Sequence, residues 1–187
     1  AAARARRLRS RIYAKRPELR AIAERCARAR EAAIADPRLW LCNRTNVALH
    51  TLLSSKVLGE GLRAVASLEM FTLIAKNVCE RMVAEGAVPV LFNLLSTSNR
   101  SVPSQKIVGH GLRALLNIAK CDPRLCEALT QQKDPDALVV LVDLAYGAHR
   151  DRANHGKLWD ALALLSQLLT TGPASYRTQL AKGQANG

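Results

Sequence analysis

Four histidines (His50, His110, His149, His155) and five cysteines (Cys26, Cys42, Cys79, Cys121, Cys126) are the side chains of this 187-residue chain best suited to chemistry. Nucleophilic catalysis needs a Ser or Cys beside a base that a third group orients, and a structural zinc site needs Cys or His ligands gathered at short spacing. No histidine is paired with a Cys or an acid at either spacing, and no two cysteines form a Cys-x-x-Cys pair. The odd cysteine count points to reduced, partly buried thiols rather than a disulfide framework. Asp143 and Asp151 read as solvated charges beside a loop. The paired glycines of Gly59-Glu60-Gly61 and Gly109-His110-Gly111 follow no predicted strand and precede no Lys-Ser/Thr, so a phosphate loop is not expected. The expectation is a chain with no catalytic residues, no metal, no cofactor and no small-molecule substrate: not an enzyme.

What remains is recognition chemistry. Ser67, Asn117 and Gln167 form a polar column at a constant interval inside otherwise apolar runs, and Arg63 and Arg113 repeat one turn before its first two members. The densest positive charge lies at the start. Residues 1–35 hold eleven basic and three acidic side chains, a local charge of +8, which leaves +5 of the total +13 for the other 152 residues. Arg6, Arg7, Arg9, Arg11 and Arg16 are the candidate contacts there. Such asymmetry points to an acidic partner, whether nucleic acid, a membrane surface, tubulin or calmodulin.

The elements that must position these residues recur every fifty residues. Val57-Leu58-Gly59-Glu60-Gly61-Leu62-Arg63-Ala64-Val65 returns as Ile107-Val108-Gly109-His110-Gly111-Leu112-Arg113-Ala114-Leu115, and more faintly as Leu158-Trp159-Asp160-Ala161-Leu162-Ala163-Leu164-Leu165. Three columns stay apolar: Leu62, Leu112, Leu162; Val65, Leu115, Leu165; and Leu68, Ile118, Leu168. A fourth stays small: Gly61, Gly111, Ala161. Self-similarity at this period marks a stacked helical repeat. Small residues in that column would let helices approach closely.

The composition agrees, with 49% hydrophobic but only 4% aromatic residues, a Leu/Val/Ile/Ala core. No apolar run reaches the roughly 20 residues of a membrane helix, and no signal peptide is visible. Pro17-Glu18 reads as a helix start, with Leu19, Ile22, Ala23, Cys26, Ala27 and Ile34 on one face. Asp36-Pro37, Asp122-Pro123 and Asp134-Pro135-Asp136 read as further starts. Polar loops are expected at Ser96–Ser104 and Gly147–Gly156. Residues 174–187 read as a further short helix, Tyr176 to Lys182, and a polar tail.

A short–medium–long helix triplet, with glycine after the first helix, resembles the armadillo repeat. Asn77-Val78-Cys79-Glu80-Arg81-Met82-Val83-Ala84-Glu85-Gly86-Ala87-Val88-Pro89-Val90-Leu91 carries that likeness. The expected fold is all-α: an armadillo-like right-handed α-solenoid of about three stacked units over residues 36–187, behind a basic helical extension over 1–35 docked on them. In peptide-binding armadillo proteins an asparagine at the position resembling Asn117 bonds the ligand main chain. Only Asn117 of its column is an asparagine, so a full peptide-gripping ladder is not expected.

Three stretches permit a narrower statement. Cys42-Asn43-Arg44-Thr45-Asn46-Val47-Ala48-Leu49-His50-Thr51-Leu52-Leu53, Cys79-Glu80-Arg81-Met82-Val83-Ala84-Glu85-Gly86-Ala87 and Ser98-Asn99-Arg100-Ser101-Val102-Pro103 resemble the C-terminal helical-repeat domain of the abnormal spindle (ASPM) family. The resemblance runs from about residue 5 to 172. It implies a non-enzymatic interaction module of a spindle-pole, microtubule minus-end protein acting in mitotic spindle organisation. It implies spindle-pole proteins and microtubules or tubulin as partners, in the cytoplasm, cytoskeleton and centrosome, with a nuclear location in interphase. In that family the domain follows calmodulin-binding IQ motifs. Arg6 and Arg11 fall at the basic positions of such a motif, but Ala1 and Ala2 stand in place of Ile and Gln and Arg7 in place of Gly. Calmodulin is therefore expected at most as a weak partner of a basic amphipathic helix. The alternatives are a nucleic-acid-binding helical repeat, which lacks aromatic stacking platforms here, and a generic peptide-binding armadillo scaffold.

Overall fold

The computed structural model describes residues 17–35, 40–74, 76–98, 101–149, 155–174, 177, 178 and 181. Among them the fold is all-helical: α1 Pro17–Ala35, α2 Trp40–Ser54, α3 Leu58–Ile74, α4 Lys76–Ala84, α5 Ala87–Thr97, α6 Val102–Cys121, α7 Pro123–Thr130, α8 Ala137–His149 and α9 His155–Thr171.

Local chemistry sets the ends. Asp122 caps α7, its carboxylate accepting from the Arg124 N–H at 2.8 Å, with Pro123 at the first position where no N–H is needed. Asp136 does the same for α8, accepting from Leu138 N–H and Val139 N–H. Gly86 sits between α4 and α5 at φ 89°, the left-handed region where a Cβ is penalised. Two expected loops are shorter than the sequence suggests. α5 runs on to Thr97 and α6 starts at Val102, so the Ser96–Ser104 loop shrinks at both ends. α8 continues through Gly147 to His149 because Ala148 is still buried, prolonging the apolar face past the glycine, and α9 already begins at His155.

The three long helices α3, α6 and α9 lie side by side, α6 in the middle; α2, α5 and α8 make a second row, and α4 touches α7. One continuous core runs through all of it, from Leu19 to Leu168. Leu68, Ile118 and Leu168 are all fully buried, and so are Val65 and Leu115, with Leu165 just inside. The column Leu62, Leu112, Leu162 breaks this rule: Leu112 is fully buried, Leu62 is half-buried, and Leu162 is 43% exposed. Only the middle member has a long helix on either side. The small-residue column also divides. A Cβ on Gly111 would meet Leu95 Cδ2 at 3.2 Å, a close approach, whereas one on Gly61 would only reach Ile107 at 4.0 Å. Gly59 has nothing within 4 Å, so the first glycine of its pair is not required by packing.

The basic helix α1 contributes to the core. Leu19, Ile22 and Cys26 are buried on one face of it. Arg25 donates to the Glu85 carbonyl at 2.7 Å and pairs with the Glu85 carboxylate at 3.3 Å, which also takes Arg81. Ile22 covers Gly86, so α1 is fastened over the α4–α5 turn. Ala174, Arg177, Thr178 and Ala181 are helical; the rest of the expected helix from Tyr176 to Lys182 lies outside the described residues.

Candidate partner-binding surface

Where α3, α6 and α9 meet, polar side chains bridge them. Glu69 on α3 accepts from Arg113 of α6 at 2.7 Å (Nε to Oε1) and 3.2 Å, and contacts His110 Nδ1. Arg113 reaches onward to Asp160 of α9 at 3.3 Å, so one guanidinium ties three helices together. Burial alone would raise the Glu69 pKa, but the Arg113 and His110 hydrogen bonds outweigh it and hold the carboxyl below its ordinary range. The Glu69 hydrogen bond pushes Arg113 up. Asp160 goes the other way: burial raises its pKa, and Arg113 only partly opposes this. One turn on, Asn117 donates its amide to Thr72 Oγ1 at 2.9 Å, and Thr72 donates in turn to the Glu69 carbonyl.

Of the residues singled out for recognition, the structure therefore brings Arg113 and Asn117 together on the α6 face that grips α3. Their polar atoms are engaged inside the fold. Gln167 is half-buried on α9, its backbone carbonyl accepting from Thr171 Oγ1 at 2.7 Å. Arg63 differs. It is exposed, and it makes no ion pair among the described residues. Arg6, Arg7, Arg9, Arg11 and Arg16 lie outside the described residues.

Sequence reasoning saw no acid paired with His110. The acid is Glu69, which lies 41 residues away in the chain and reaches it only through the docking of α3 on α6. The one available clue was that His110 and Arg113 share a helix face at i, i+3. Asp160 and Thr72 were missed for the same reason.

Arg63 stands at the rim of an open groove of ≈ 760 Å³ between α2 and α3. Its floor is apolar, with Val47, Ala48, Ala64 and Phe71, and Met70 stands 60% exposed beside it. Among the described residues no three His, Cys, Asp or Glu are placed to hold a metal ion, and no helix is long and apolar enough to cross a membrane. Cys26, Cys79, Cys121 and Cys126 are free thiols. Burial, with the Glu85 charge adding, pushes Cys26 up to about 11; burial and the neighbouring Cys121 push Cys79 up to about 12. Neither is a nucleophile at neutral pH. The side chain of Cys42 lies outside the described ones.

No family model matches the chain, and no solved structure matches it. Curated relatives do. The chain is 35% identical over 142 residues, 74% of its length, to the abnormal spindle-like microcephaly-associated protein homolog of Mus musculus. It is 35% identical over 104 residues to the homolog of Bos taurus and 34% over 104 residues to that of Ovis aries, 56% of its length in each case. It spans only 4% of the mouse protein and 3% of the other two. At that identity, over nearly three quarters of its residues, the chain belongs to the abnormal spindle-like microcephaly-associated protein family.

Proposed function

We propose that this chain is a non-enzymatic protein-interaction module of a spindle-associated protein, built as an armadillo-like right-handed α-solenoid. Its partners are microtubules and other spindle-pole proteins, at microtubule minus ends. The observation that carries this reading is the family membership. Two others support it: the net charge of +13, and the helices α3, α6 and α9 laid side by side through a continuous core. A strongly basic surface suits the acidic exterior of tubulin. The polar atoms of Arg113 and Asn117 hold the layers together, whereas Arg63 is exposed and makes no ion pair among the described residues; the arginines of residues 1–16 add positive charge in the sequence.

Co-sedimentation of the chain with stabilised microtubules at physiological salt tests it. Because α1 is part of the core, the truncation compared with the full chain ends at residue 16, not 35. Binding by the full chain that weakens on truncation supports the reading. No pelleting by either, also when joined to the upstream part of a family protein, removes direct microtubule contact from it.

A further inference from the structure

Resting on the reading of the chain as an interaction module, we infer that the groove between α2 and α3 is a docking site for an acidic amphipathic helix of a partner protein. The internal repeat shows what this face does. At an interval of fifty residues, Glu60, Arg63 and Ser67 of α3 correspond to His110, Arg113 and Asn117 of α6. Those three α6 residues seize another helix: His110 and Arg113 take the carboxylate of Glu69, and Asn117 takes Thr72. On α3 the corresponding residues lie on the side turned away from α6, and they line the open groove. Arg63 is the counterpart of Arg113 but makes no ion pair among the described residues; of the other charged residues lining the groove, Glu60 accepts from Ser55 Oγ and Arg44 adds a second positive charge, so the lining carries one net positive charge. The floor is ready as well. Met70 and Val47 stay 60% and 37% exposed, while Ala64 and Phe71 lie at the base. From Glu60 to Phe71 the wall covers twelve residues, a rise of about 16 Å or three helical turns. That length suits a short helix with an apolar stripe on the floor and a Glu or Asp one turn along, set on Arg63 as Glu69 is set on Arg113.

Charge complementarity chooses the occupant. Residues 1–16 contain nine neutral side chains, five of them alanine, and seven arginines or lysines, but no Asp or Glu, so they supply no carboxylate and would bring like charge to Arg63. The far end of a second copy has Leu169 where α3 has Glu69, and it too lacks the acid. A separate acidic helix meets both requirements.

The test uses two fluorescent 16-residue helical peptides with the same leucine stripe, one flanked by Glu and the other by Lys, titrated into the full chain by anisotropy. The Glu peptide should bind. Arg63→Glu should weaken it about tenfold and favour the Lys peptide instead, and Met70→Ser should weaken both. Arg124→Glu, an exposed arginine on α7, makes the same change in net charge and should leave binding unaltered. Circular dichroism of each variant confirms the fold. Equal losses from Arg63→Glu and Arg124→Glu would mean diffuse attraction to a basic protein and would overturn the inference. So would tighter binding on deletion of residues 1–16 that vanishes when those residues are added back as a peptide, or concentration-dependent self-association that Met70→Ser abolishes. Microtubule co-sedimentation is measured on the same variants. If pelleting survives where the peptides fail, only the groove is lost and the module remains.

Discussion

At Glu69 the polar chemistry of the fold is concentrated in one carboxylate. It receives Arg113 and His110 from α6 and is shielded enough for those bonds to count. Hydrogen bonds to a charged group contribute about 1.5–3 kcal/mol each, less where solvent reaches them. Glu69→Gln should therefore cost about 2 kcal/mol in urea denaturation at pH 7. The pH dependence has a definite sign. The folded-state pKa of Glu69 lies below its ordinary value of 4.5, so its contribution is complete above that value and is lost as pH falls through the lowered folded pKa. The stability gap between wild type and Glu69→Gln should stay constant from pH 7 to about 5 and close in more acid solution. Asp160 makes the contrast. Its pKa is raised by burial, so Asp160→Asn should cost less than Glu69→Gln, or nothing, at pH 7. Equal losses from the two would show that Arg113, not the Glu69 environment, sets the energetics.

The helices themselves were largely legible in the sequence, for physical reasons that differ from one to the next. Asp122-Pro123 announces α7 because a side-chain cap and a proline satisfy the same helix end. Leu68, Ile118 and Leu168 announce the stacking because the same depth recurs at the same interval. One end marked by glycine differs: Gly147 looks like a stop, but the burial of Ala148 carries α8 past it. Gly86 is the glycine that matters for the backbone. Gly86→Ala should cost about 1–2 kcal/mol from its left-handed φ alone. It should cost more because the new Cβ would lie 2.8 Å from Ile22, as thermal denaturation would show. α1 is the element whose charge conceals its role. Its arginines alone would suit a solvated arm, but the apolar face they flank points to docking, and Leu19 on that face is 1% exposed. Leu19→Ala should destabilise the chain by about 2–4 kcal/mol, a loss that a helix resting loosely on the surface would not show. The interhelical partners Glu69, Thr72 and Asp160 were not legible, because pairing across 40 or more residues depends on which helix faces dock, and no local pattern records that.

Over the whole molecule the repeats divide the work. The inner polar residues fasten successive long helices to one another, and the open face of the first helical layer keeps an exposed arginine above an apolar floor. The excess of positive charge is then available to acidic partners, but charge alone does not separate tubulin from nucleic acid. A chain made for single strands would add aromatic platforms, and this one has 4% aromatic residues. The most direct measurement is the affinity of the same chain for stabilised microtubules and for a 20-nucleotide single-stranded RNA, each titrated between 50 and 250 mM salt. A spindle-associated interaction module should bind microtubules more tightly at physiological salt and retain little RNA there. Tighter RNA binding with a steep linear fall of log affinity against log salt would contradict the account.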